Sequence, residues 1–196
     1  MSNSGVFDVN DIRYLMDYQQ WATFGELQLI ETQTVTSNVA AVDFTSIQES
    51  TYNVHFLTCD NVQAVSDGPI LEIQFYENGT LETASVYDYA RQYGNSAGTF
   101  GESRSSSSSV IEFLPNTGGS TNETSQGYAY LYNLGDATKY SFATFHSVAM
   151  NANPYFLMHF GSGVLQQASK VDGIRLKFSS GNIDTGTYSL YGIRFA

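Results

Sequence analysis

Three histidines, one cysteine and nineteen acids are the residues of this chain best equipped for chemistry. A zinc site needs imidazoles and thiolates at short, fixed spacing. His55, His146 and His159 lie far apart, and none has a second histidine at ligand spacing, so only neighbouring strands can bring them together. His55 and His159 each sit in an aromatic strand pattern, where a packed, hydrogen-bonded ring is the simpler expectation. Nucleophilic catalysis needs a serine on a strained strand-to-helix elbow. Gly161-Ser162-Gly163 departs from the Gly-x-Ser-x-Gly pattern, and no helical pattern follows it. Glycosidase chemistry asks only for two carboxyl groups at a set separation. Glu72 with Glu77 or Glu82 can face one another across the Asn78-Gly79 turn, although solvated edge charges are the simpler reading. Asp60 and Asp67 with nearby carbonyls offer calcium-type donors. Cys59 follows an apolar stretch and precedes Asp60, a setting that disfavours a thiolate, so it reads as an inert structural residue. No phosphate loop, dinucleotide fingerprint or EF-hand loop occurs. The expectation is a protein without cofactor, metal or catalysis.

The strands that would position these groups are plainer than the groups. Ile174, Leu176 and Phe178 alternate with Arg175 and Lys177, the period of a strand with one buried and one wet face. Leu71, Ile73 and Phe75 alternate in the same way with Glu72, Gln74 and Tyr76. Asn78-Gly79 tolerates positive φ at both positions and predicts a type I′ hairpin, with Leu81 to Tyr89 returning antiparallel. Further strands are expected near Glu26–Glu31, Ala41–Ile47, Tyr52–Leu57 (Val54 and Phe56 inward), Val110–Leu114, Tyr128–Tyr132 and Tyr140–Val148. Another covers Tyr155–Phe160, broken by the Gly161-Ser162-Gly163 triplet, and Thr187–Phe195 closes the chain. Gly98–Ser109, with five consecutive serines, and Asn116–Gln126 read as polar loops, mobile or held only by neighbours. Nine or ten strands with turn residues between them and no helical crossovers predict an all-β, two-sheet antiparallel sandwich, most simply a jelly roll. In that sandwich Tyr128, Tyr130 and Tyr132 share one face and are a candidate binding surface; packing inward, with Ala129 and Leu131 outward, is the other possibility.

Residues 1–24 differ in pattern. Asp8 or Asn10 can cap a short helix whose Val9, Ile12, Leu15 and Met16 form a candidate docking face. Either this arm docks on a partner, or it packs across one end of the β domain that occupies residues 25–196. At 196 residues one domain is expected, large enough to bury roughly 70% of its unfolded surface. The net charge of −11 repels phosphate backbones and argues against nucleic acid. Charged residues make up only 14%, replaced by hydroxyls, amides and 27 Tyr and Phe, a balance suited to an extracellular or virion-type β protein. No signal peptide and no bilayer-spanning run are read from the sequence, so membrane insertion is not expected.

Three stretches resemble virion proteins of tailed phages that infect marine bacteria. Asp43-Phe44-Thr45-Ser46-Ile47 with Tyr52 is similar to that family's opening "DFTSI…Y". Ser180-Gly181-Asn182 and Ser189-Leu190-Tyr191-Gly192-Ile193 are similar to its closing "SGN…(F/Y)SLYGI". Gly5 to Leu15 is similar to the start of some members. The resemblance implies a jelly-roll tail-fibre or other structural module, with Asp43 and Thr45 capping a turn and Gly192 permitting close approach at a strand bend. The chain lacks heptads and a repetitive shaft, so a short fibre, a collar subunit or a head decoration suits its length better than a long fibre. It implies a non-enzymatic virion subunit, made without a signal peptide. Expected partners are copies of itself (a homo-oligomer, most simply a trimer), other virion proteins such as capsid, portal or tail, and, as the alternative function, a host-surface glycan recognised at a fibre tip. A depolymerase with two converging carboxylates is the third reading.

Overall fold

The computed structural model describes residues 9–10 and 27–194. Among the described residues thirteen strands run in the order β1 (Gln28–Val35), β2 (Val42–Phe44), β3 (Val54–Ala64), β4 (Leu71–Glu77), β5 (Thr80–Leu81), β6 (Tyr87–Asn95) and β7 (Phe100–Ser108). They continue with β8 (Ile111–Leu114), β9 (Ser125–Tyr132), β10 (Ser141–Met150), β11 (Phe156–Leu165), β12 (Val171–Phe178) and β13 (Ile183–Ile193). They build two packed antiparallel sheets, a β-sandwich. The larger sheet has the order β1-β13-β3-β9-β10-β11-β6-β7. The smaller is β2-β12-β4, with β5 and β8 both on the far edge of β4.

Eight strands carry a simple symmetry. β1 pairs with β13, β2 with β12, β3 with β9 and β4 with β8. Counted along the chain, these are first with eighth, second with seventh, third with sixth and fourth with fifth. A long hairpin ribbon has that pairing, and here successive rungs fall alternately in the large and the small sheet. The ladders β13·β3 and β12·β4 join the rungs within each sheet. The remaining hairpins, β10–β11 and β6–β7, extend the large sheet beyond β9, so it overhangs the smaller one, with β8 packed against β6, β10 and β11.

Alternation fills the space between the sheets. Leu71, Ile73 and Phe75 of β4 and Ile174 and Leu176 of β12 are fully buried, facing Leu57, Leu131 and Leu190. Phe113 and Phe145 meet edge to face at 5.7 Å. Each such side chain contributes about 1.5–3 kcal/mol through burial. Asn78 and Gly79 have φ of +50° and +78°, as the expected hairpin turn requires.

Several local expectations are corrected. Gly98–Ser109 is no loop: β7 forms because the β6 backbone supplies a ladder that composition does not reveal. β11 continues through Gly161-Ser162-Gly163 because their missing side chains admit neighbours; a Cβ at Gly161 would lie 2.5 Å from the Ala90 carbonyl oxygen, and one at Gly163 2.7 Å from Ile111. The return from Asn78-Gly79 lasts only through Leu81, after which the chain crosses to the large sheet as β6. The two closing strands, β12 and β13, lie in different sheets. Phe56 faces outward, because His55 takes the inner position with Nε2 2.8 Å from the Ile47 carbonyl. Within Asn116–Gln126, Thr117 and Ser125 are buried and hydrogen-bonded to each other, and β9 starts at Ser125.

Candidate interaction surface

On β9 the inward positions belong to Ala129 and Leu131, both fully buried, so Tyr128, Tyr130 and Tyr132 point away from the core. The register carries that parity across the whole large sheet. Tyr191, Phe56, Tyr130, Thr144 and Ser162 form one cross-strand row. Tyr132, Phe142 and Val164 form the next, and Tyr128, His146 and Phe160 another. The Phe56 ring lies at its centre, 4.7 Å from Tyr130, 5.8 Å from Tyr128 and 6.1 Å from Tyr191. Tyr128 also meets His146 edge-on at 6.1 Å. Phe142, Phe160 and Tyr128 are each more than 40% exposed, and Leu29 and Phe100 extend the face to both sheet edges. No described element lies over it. Its centre is uncharged; Asp60, Asp88, Glu102 and Arg104 stand around it.

Two open grooves score this face. One, about 430 Å³, runs between Phe56, Tyr128, His146 and Val148, with Asp60 and Gln126 at its rim. The other, about 710 Å³, lies over Ala90, Ser162 and Val164, between Phe142 and Arg104. Sequence reasoning found the tyrosines but missed Phe56, Phe142, Phe160, His146 and Tyr191; their outward parity depends on which neighbour each strand finds.

The other candidate chemical groups lie away from this face. Among the described residues no group of three or more His, Cys, Asp or Glu side chains converges as a metal site. Cys59 is buried, and burial pushes its thiol pKa far up. Glu72 ion-pairs with Lys177 at 2.5 Å. Glu72 is therefore not the partner of either hairpin carboxylate; Glu77 meets Glu82 instead, and desolvation followed by the hydrogen bond to Glu82 lifts Glu77 to about 7. Asp67 accepts a hydrogen bond from the Gly119 N–H. Asp43 holds Arg175 through two hydrogen bonds of 2.7 and 2.8 Å, an inter-strand pair in place of the expected turn cap. Gly192 does permit close approach: a Cβ there would sit 2.1 Å from the Tyr52 ring. Of the candidate docking residues, Val9 is helical and exposed, while Ile12, Leu15 and Met16 lie outside the described residues.

A second polar cluster lies beneath the overhang, on the inner face of β6 and β11. Arg91 binds Glu112, which also accepts from Ser103 Oγ at 3.2 Å. Arg91 Nη1 lies 3.2 Å from His159 Nε2. Desolvation, with the adjacent guanidinium, depresses the His159 pKa to about 3, so the ring is neutral. Comparison of the chain with protein-family models, with curated proteins and with solved structures returned no match.

Proposed function

We propose that this protein is a non-enzymatic virion-type surface subunit that acts by being gripped, chiefly by copies of itself, across the aromatic outer face of its large sheet. The uncharged row Tyr191–Phe56–Tyr130 and its flanking aromatics carry this reading. Exposed apolar patches of this extent mark interaction sites, and tyrosine and phenylalanine are enriched at interface cores. Like-charged copies with a net charge of −11 each repel, so a contact through this face, whose centre is uncharged, is favoured. The first-with-eighth to fourth-with-fifth ribbon pairing supports the jelly-roll reading of the sandwich. The virion setting is drawn from the sequence resemblance; the Ser189–Ile193 part of its closing motif lies in β13, the strand between β1 and β3 in the large sheet. Residues 1–24 would then dock on the particle, and deleting residues 2–20 would leave a folded domain that no longer joins it.

Mass in solution by light scattering tests the reading: a discrete homo-oligomer, most simply a trimer, that Phe56→Glu reduces to monomers. A monomeric wild-type chain at all concentrations would reject it. The copy number per particle, by mass spectrometry, distinguishes capsid decoration from a tail component.

A second reading is favoured by the groove beside Tyr128, where aromatic walls meet the polar rim of Asp60 and Gln126. That combination suits stacking on a host glycan, and silence of the purified protein on a glycan array would reject it.

A further inference from the structure

The two sheets protect their edges unequally. In the small sheet the edge strands are short: β2 has three residues, β5 two and β8 four. In the large sheet β1 is interrupted by a bulge between Leu29 and Glu31. Short edge strands and bulges are the usual devices that stop one sheet from pairing with another. β7, at the opposite edge, has neither along residues 100–105, where its register with β6 runs unbroken. It contains no proline and no lysine, and no described strand pairs with its other side.

The hydrogen bonds fix which backbone groups are open. The Asn95 N–H donates to the Thr99 carbonyl at 2.9 Å, on the β7 side, and the Ser96 N–H to the Phe156 carbonyl at 3.0 Å, on the β11 side. Antiparallel bonding alternates in this way from residue to residue. Tyr93, Arg91 and Tyr89 therefore bond to Gly101, Ser103 and Ser105, and the N–H and C=O groups of Phe100, Glu102 and Arg104 point to the open edge.

Side chains select a partner for that edge. Glu102 and Arg104 stand side by side on the outer face, 2.6 Å apart and 62% and 75% exposed. A pair so exposed adds little to the fold of a single chain. A second β7 laid antiparallel meets the open backbone groups only in registers that set even-numbered residues against even-numbered residues. With Ser103 on the two-fold axis, Glu102 of each copy lies opposite Arg104 of the other, and four charges alternate in sign along and across the strands. The next register on either side sets Glu102 against Glu102 or Arg104 against Arg104. Opposite charges across a ladder stabilise it, and like charges disfavour it.

We propose that β7 is a self-pairing edge: two copies of the chain join β7 to β7 antiparallel about Ser103, merging two eight-stranded sheets into one. The occupant is a second copy because the edge is complementary to itself, as a two-fold contact requires. This contact is separate from the outer face and does not need it. A ladder this short is weak alone, monomeric at micromolar concentration and pairing towards about 1 mM, and it gains strength wherever copies are already held close.

The test removes the outer-face contact with Phe56→Glu and follows the backbone amides of the full chain by NMR, from micromolar concentration to about 1 mM. The expected result is shifts confined to residues 100–105, largest at Glu102 and Arg104, with diffusion slowing to that of a dimer. Adding Glu102→Arg or Arg104→Glu to that background should weaken pairing about tenfold or more, because each turns both cross-strand pairs into repulsions. Mixing the two charge variants should restore it, since one chain then carries arginine at both positions and the other glutamate at both. A role for the pair within one chain would not produce that rescue. No shifts up to about 1 mM, association indifferent to either reversal, or a mixture that fails to pair overturns the proposal. So do shifts at Gln28–Val35 in step with those at β7, which would mean a head-to-tail contact of β7 with β1. Shifts at residues 128–132 of the wild-type chain report the outer-face contact separately, so either contact can fail without the other.

Discussion

Arg91 on β6 grips Glu112 on β8, with Nε and Nη2 at 2.7 and 2.6 Å from the same carboxylate oxygen. This pair ties the overhanging part of the large sheet to the short edge strand of the small one. Arg91 is almost fully buried and Glu112 largely so.

Removing one partner of a buried pair strands the other charge. Glu112→Ala should therefore lower unfolding stability by about 3–5 kcal/mol, and Arg91→Ala similarly. The double substitution to packed apolar residues should cost much less than the sum. Denaturant unfolding of the two single variants and the double variant checks this; additive losses would show that the two do not act as a pair.

Gly192 is demanded by Tyr52. A methyl group at residue 192 would overlap the base of the Tyr52 ring, 2.1–2.4 Å from Cγ, Cδ1 and Cδ2, where the side chain has little room to yield. Gly192→Ala should cost about 1–3 kcal/mol, the usual penalty of overpacking. Much of that loss should be recovered in a Tyr52→Ala background, as measured by thermal melting.

The outer face predicts a solubility effect opposite to a core effect. Tyr130→Glu places a charge on a solvent-facing position, so the fold should be retained within about 1 kcal/mol. Self-association should fall sharply. Circular dichroism with sedimentation separates the two readouts, and an unchanged oligomer would count against the interface.

The Glu77–Glu82 pair gives stability a pH signature. Glu77 titrates near 7 in the folded chain, above the ordinary glutamate value of 4.5. The folded state therefore holds a proton that the unfolded state releases. Stability from this group is fully present below about 4.5 and is lost as pH rises towards about 7. Glu82 is shifted downwards, mainly by the Ala84 backbone N–H, so its contribution is lost only as pH falls below its ordinary range. Between those limits Glu77→Gln, which keeps a donor towards Glu82, should flatten the decline in melting temperature seen for the wild type. A decline of equal slope in both proteins would refute the assignment.

The sequence by itself determined the all-β class and the larger part of the strand inventory, because a one-in, one-out pattern needs nothing beyond a single strand to be read. Leu71, Ile73 and Phe75 are buried as their spacing requires, and Asn78-Gly79 turns as its φ tolerance requires. Tertiary structure decided what local pattern leaves open. On β9 both faces are apolar, so alternation could not say whether Tyr128, Tyr130 and Tyr132 or Ala129 and Leu131 point inward; the smaller set fills the space between the sheets. The serine-rich β7 exists because β6 offers it a ladder, and β11 runs through its glycines because neighbours need the space that side chains would occupy. Likewise, Arg91, Glu112 and His159, far apart in the chain, meet only because the overhang brings β6, β8 and β11 together, a long-range pairing that no window of sequence contains.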